Sequence, residues 1–124
     1  MRPYLFLLLL FSTNLFANQI STQTQQEIDY LINFVNNSGC QMIRNGKGYT
    51  AEKAASHIKR KYEHYKDEID STEKFIALSA SKSSLSGKAY HAKCGVNPEI
   101  TTQSWLLNAL EEYRNTNKKL AVKP

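Results

Sequence analysis

The chain holds two cysteines, and each stands at one end of a strand-like run. Cys40 opens the segment Cys40-Gln41-Met42-Ile43-Arg44-Asn45-Gly46-Lys47-Gly48-Tyr49-Thr50, and Cys94 closes residues 88–94. The first run carries an Asn-Gly dipeptide. That is the strongest short hairpin signal, because both central positions of a type I′ turn want positive φ. The second run alternates, with Ala89, His91 and Lys93 on one side and Tyr90, Ala92 and Cys94 on the other, which is strand periodicity. Two strands stapled by a Cys40–Cys94 disulfide, with helices on one face, is the arrangement that uses all of these features. The alternative is two buried free thiols, and the redox compartment decides between them.

The N-terminus bears on that compartment. Arg2 is a short basic region, residues 5–11 are an unbroken apolar run, and Leu15-Phe16-Ala17 places a small residue where a signal peptidase would cut. This is the layout of a secretory signal peptide. The apolar run is far shorter than the roughly 20 residues a spanning helix needs. Residues 1–17 are therefore expected to be removed, leaving a chain without a membrane span, and an exported protein with two cysteines suits a disulfide. About 107 residues remain, the size of one domain. A core of that size is modest, and closing a loop of roughly 50 residues would add about 4 kcal/mol on the chain-entropy account. The formal charge is +5. In the cytoplasm such a balance would raise nucleic acid as a partner. Export, and basic residues interspersed with acidic ones, argue against it.

Helical patterning fills the rest of the chain. Thr24-Gln25-Gln26-Glu27 reads as a capping box. Ile28, Leu31, Ile32 and Val35 then follow at i, i+3, i+4, i+7, and Gly39 is placed to end the helix in a left-handed conformation. Thr50 is the expected cap of a second helix, with Ala54, Ala55, Ile58, Tyr62 and Tyr65 on one side and charged residues elsewhere. Asp70-Ser71 starts a third, short helix carrying Phe75, Ile76 and Leu78. Residues 79–87 form a serine-rich turn region, and residues 95–101 a loop holding Pro98. Thr102 can cap a last helix whose apolar stripe is Leu106, Ala109, Leu110 and Tyr113. Residues 18–114 are thus expected to form one α+β domain. In it three to four helices pack on a small antiparallel sheet of two to three strands. Residues 115–124 are expected to be a polar tail.

If Cys40 and Cys94 face each other on antiparallel strands, the constant index sum of the ladder sets Met42 against Ala92 and Arg44 against Tyr90. Gly46 then lies near Lys88. Arg44, Asn45, Lys47, Ser86, Gly87 and Lys88 converge at one end of the sheet. Arginine, lysine and exposed amides at glycine turns can hold a carboxylate or phosphate, although turns favour such residues anyway.

Several blocks in this region carry a resemblance. Met42-Ile43-Arg44-Asn45-Gly46, Tyr49-Thr50 and the stretch from Ala54 to Lys61 make one. Thr72-Glu73-Lys74-Phe75-Ile76, residues 81–86, Gly87-Lys88 and Tyr90 make another. Together they resemble the YfeK-like family of small exported bacterial proteins, a domain of unknown function (DUF5329), over residues 26–113. The resemblance implies a Gram-negative periplasmic location. It implies no activity.

The residues themselves assemble no catalytic set. His57 and His64 stand seven apart on a helix, about 10 Å, too far to share a metal ion, and no metal site or cofactor is expected. Ser79-Ala80-Ser81-Lys82 matches a Ser-x-x-Lys pattern by two residues alone, in a serine-rich stretch. Cys40 could act as a nucleophile with His57 only outside a disulfide. Asp67, Glu68, Asp70 and Glu73 read as a solvated group near a helix junction. The expected function is that of a non-catalytic binding or accessory protein of the cell envelope. Its candidate surface is Arg44, Asn45, Lys47, His57, Ser84, Ser86, Lys88 and Tyr90, and its partner an envelope protein or an anionic ligand. The rival expectation is a small hydrolase-like enzyme using a serine or histidine near the same loops.

Overall fold

The computed structural model describes residues 20–122. The expected signal segment, residues 1–17, lies outside the described residues, as do residues 123–124. The elements run α1 (Thr22–Asn37), β1 (Gln41–Arg44), β2 (Lys47–Tyr49), α2 (Ala51–Tyr65), α3 (Thr72–Phe75), β3 (His91–Lys93), β4 (Ile100–Thr101) and α4 (Thr102–Val122). A 3₁₀ turn follows α2 at Lys66–Glu68, and α3 runs on into a π-helical turn at Ile76–Ala80. The class is α+β.

The sheet is antiparallel with strand order β2-β1-β3-β4. It has four strands, not two or three. The addition is β4, two residues paired with His91 and Ala92, inside the stretch expected to be a loop. The hairpin turns through Asn45 (φ 50°) and Gly46 (φ 79°), the left-handed pair that a type I′ turn requires. Met42 pairs with Ala92 as the index sum demands, and Cys40 is bonded to Cys94.

Alternation puts Met42, Tyr90 and Ala92 on the buried side of the sheet. Against that face pack Ile28, Leu31 and Val35 of α1, Ala54, Ala55, Ile58 and Tyr62 of α2, and Leu106, Ala109 and Leu110 of α4. Phe75 and Ile76 join the same core. The short π turn lets Ile76 and Ala80 both face inward, and Ser81 Oγ donates to the Ile76 carbonyl at 2.6 Å. Ile69, just past the 3₁₀ turn, is buried although α2 has already ended.

Three terminus assignments shift. Ser21, not Thr24, caps α1: its Oγ accepts from the Thr24 amide at 3.1 Å. At α4 the hydroxyl of Thr101 accepts from the Ser104 amide, while Thr102 is buried within the first turn. At the other end, α4 does not stop near Tyr113 but continues to Val122, with residues 115–122 exposed. Propagating a helix fixes one residue per new hydrogen bond, so a polar sequence extends it without needing a core.

Candidate functional site

The hairpin, α2 and the segment from Ser81 to Tyr90 enclose a cleft of about 480 Å³. Each wall has a local cause. The type I′ turn brings Arg44 beside Lys47, and Tyr49 follows two residues on, on the same side of β2. The Arg44 guanidinium carbon lies 4.1 Å from the centre of the Tyr49 ring and 6.0 Å from that of Tyr90. Such cation–π stacking holds an arginine in place without neutralising it. From α2, His57 and Lys61 stand one turn apart on one face and reach the same spot. The Ser81–Tyr90 segment is pinned by its own backbone: Ser83 N donates to Lys88 O, Gly87 N to Ser83 O, and Tyr90 N to Ser81 O. Ser86 Oγ then donates to Asn45 Oδ1 at 2.7 Å, tying this loop to the hairpin.

A short polar chain crosses the floor. Lys61 Nζ donates to the Lys82 carbonyl at 2.7 Å and lies 3.4 Å from Tyr90 Oη. Tyr90 Oη in turn is 3.2 Å from His57 Nε2. Burial, then the nearby Arg44, Lys61 and Arg60 charges, push His57 down to about 4. His57 is therefore neutral at neutral pH, and the network is consistent if Tyr90 accepts from Lys61 and donates to His57. Burial also lowers Lys61, helped by Arg44 and Lys82, and raises the Tyr90 phenol. Tyr49 shifts the other way, because the Arg44 guanidinium beside it favours the phenolate.

The charge balance is one-sided. Arg44, Lys47 and Lys61 line this cleft, and no carboxylate does. Arg44 Nε is buried and meets no acceptor among the described residues. Arg44, Tyr49 and His57 also form one wall of a second, larger hollow of about 700 Å³ on the outer side of α2. There they meet Lys53, Lys59 and Arg60 together with Glu52 and Glu63.

Of the residues singled out from sequence, Arg44, Asn45, Lys47, His57, Ser84 and Tyr90 line the inner cleft together. Ser86 sits at its rim through Asn45. Lys88 does not line that cleft: it lies in a smaller depression with Ile43, Gly46 and His91, which shares Asn45 with the cleft. Tyr49 and Lys61 are additions. Lys61 could have been found from its i+4 spacing to His57, and Tyr49 from its alternation with Lys47.

His57 meets Tyr90, while Ser84 Oγ is 3.1 Å from Tyr65 Oη. Ser79, the serine of the Ser-x-x-Lys match, is fully buried. Cys40 is in the disulfide. Among the described residues no group of three or more His, Cys, Asp or Glu could hold a metal ion, and no helix is long and apolar enough to cross a membrane.

A buried ion pair went unnoticed in the sequence. Glu27, read as half of a capping box, is 2% exposed and accepts from Arg114 Nε at 2.7 Å, from Arg114 Nη2 at 3.0 Å and from Thr72 Oγ1 at 2.7 Å. Arg114 Nη1 bridges onward to Glu73, which is therefore paired and not simply solvated.

Comparison with known proteins fits this fold to a sequence family. A family described as of unknown function (DUF5329) matches residues 22–114. The chain belongs to that family. Over 48 residues it is 42% identical to the uncharacterized protein YfeK of Salmonella typhimurium (strain LT2), a stretch that covers 39% of this chain and 40% of that protein. The chain thus spans well under two thirds of this relative's length. No solved structure matches it. The family has no assigned activity, so the DUF5329 fold carries a function only as far as the cleft does.

Proposed function

We propose that the domain is a non-catalytic binding protein of the cell envelope, and that the inner cleft receives an anionic group. One observation carries this reading: three cations line a cleft with no carboxylate among its lining residues. Gathering like charges around a partly buried space is unfavourable unless a counter-charge arrives. An oxyanion between Arg44 and Lys61 would offset that cost and would give Arg44 an acceptor. Export is supported by the apolar run at residues 5–11 and by the disulfide, which persists in oxidising compartments.

The binding half is tested by titrating inorganic phosphate and acetate into the folded domain while following amide and side-chain shifts by NMR. Saturable shifts at Arg44 and Lys61 that vanish in Arg44→Ala/Lys61→Met support it. Shifts spread over all surface lysines, or none, refute it. Mass measurement of protein released from the periplasm tests the export half: a mature chain beginning near Asn18 is the expected result. The rival reading, a small hydrolase-like enzyme, would need a serine brought to His57, which here meets Tyr90.

A further inference from the structure

The two hollows beside α2 share a wall and differ in chemistry. Arg44, Tyr49 and His57 line both, so a single molecule lying against these residues would reach into each. The inner cleft presents cations without carboxylates. The outer hollow presents both signs: Lys53, Lys59 and Arg60 on one hand, Glu52 and Glu63 on the other. Among the described residues both ion pairs belong to Arg114, so Glu52 and Glu63 have no cationic partner within bonding distance. A simple anion explains the inner cleft and leaves the outer carboxylates unused. A polyanion would meet the cations of both hollows and leave those two carboxylates unmatched.

We infer that the ligand is a short peptide with a free C-terminal carboxylate, seated with that carboxylate between Arg44 and Lys61 and its upstream residues along α2. The inference rests on the anion-binding reading and specifies the ligand for it. Lys53 and Lys61 stand eight residues apart on α2, about 12 Å along the helix axis. An extended peptide rises about 3.3 Å per residue, so roughly four residues span that distance. An ammonium group upstream meets Glu52 or Glu63, and an acidic side chain meets Lys53 or Arg60. The Tyr49 ring, half-exposed on the shared wall, lies where the peptide must cross from one hollow to the other.

The test passes a randomised tetrapeptide pool over the immobilised domain and reads the retained peptides by mass spectrometry. One pool ends in free carboxylates and its twin in amides. The expected result is retention of the free-acid pool, enriched at least fivefold in peptides with an upstream lysine, and at least a tenfold loss for the amide pool. Glu52→Gln/Glu63→Gln changes two exposed side chains on the helix surface. It should abolish the lysine enrichment while leaving phosphate shifts at Arg44 and Lys61 intact. Tripolyphosphate supplies the opposite sign, since a polyanion would bind the double Gln variant more tightly than the wild type.

Equal retention of acid and amide pools overturns the inference. So does an unchanged lysine enrichment in the Gln variant, or tripolyphosphate binding above that of every retained peptide. If phosphate shifts Arg44 and Lys61 but no peptide is retained, the peptide assignment falls and the anion site stands. If neither phosphate nor peptide binds, both fall.

Discussion

Two groups of charged side chains in this domain solve opposite problems. Between α1, α3 and α4, Glu27 is buried and bonded to partners within the chain: Arg114 on one edge, the Thr72 hydroxyl on the other, with Glu73 sharing the arginine. Between the hairpin and α2, Arg44, Lys47 and Lys61 meet tyrosines, a carbonyl and one another. The first group holds Glu27 and Glu73 below the usual carboxylate range, mainly through the Arg114 hydrogen bonds. In the second, burial and the neighbouring cations lower Lys61 and the adjacent His57. Charges retained for stability acquire partners within the chain. Charges left unmatched in a cleft cost stability unless a counter-charge arrives.

The sharpest way to break this contrast is to remove the arginine from the paired group. Arg114→Met should cost about 2–3 kcal/mol in urea denaturation, because it leaves a buried carboxylate without its counter-ion; the estimate is reduced because Arg114 is partly exposed. Adding Glu27→Gln to that chain should restore part of the loss. A loss below about 1 kcal/mol would mean the group is not holding α1 to α4.

Acidification should affect the two regions in different windows. Glu27 and Glu73 have lowered values in the fold. Their contribution is present above the unfolded carboxylate range and disappears as pH falls through the lowered values. His57 is depressed from 6.5 to about 4. The fold favours its neutral form, so its contribution is complete above 6.5 and falls away between 6.5 and 4, by about 1 kcal/mol after discounting for solvent screening. Stability measured from pH 7 to 4 should therefore decline in the wild type and decline less in His57→Gln. Identical slopes would place His57 in a far more hydrated setting than the cleft suggests.

The smallest change in stability belongs to the unmatched cations. Lys61→Met should alter unfolding by no more than about 0.5 kcal/mol, since it removes a hydrogen bond and a repulsion together. The same variant should raise the His57 midpoint toward 6.5, because Lys61 is one of the charges holding it down. An NMR titration of the imidazole would show this, and an unmoved midpoint would leave the depression to burial and the two arginines, Arg44 and Arg60.

Much of this architecture could be read from residue order because the determinants are local. Asn45-Gly46 specifies its turn by backbone conformation, and once Cys40 is set against Cys94 the antiparallel ladder fixes Met42 against Ala92. The missed features depend on contacts distant in sequence. β4 is two residues long, too short to show alternation, and exists because β3 offers it an edge. Glu27 looks like a helix-start residue until Arg114, 87 positions away, folds over it. Lys61 looks like one of many solvated helix lysines until the Ser81–Tyr90 loop folds against it. Lys88 lies beside Gly46, as the index sum has it, but lines a depression apart from the inner cleft. The index sum sets which residues are opposite, but not which side of a twisted hairpin a side chain leaves from.

The Cys40–Cys94 bond has a topological consequence. Every residue lining the inner cleft, from Arg44 to Tyr90, lies inside the covalent ring that this bond closes, whereas Glu27 and Arg114 both lie outside it. A single proteolytic nick anywhere in the ring leaves the cleft's walls on one covalent piece. A nick outside it can release α1 or the end of α4 without parting those walls. Reduction removes that protection from the cleft and leaves the Glu27–Arg114 clasp untouched, so the redox state of the compartment governs how well the cleft survives proteases.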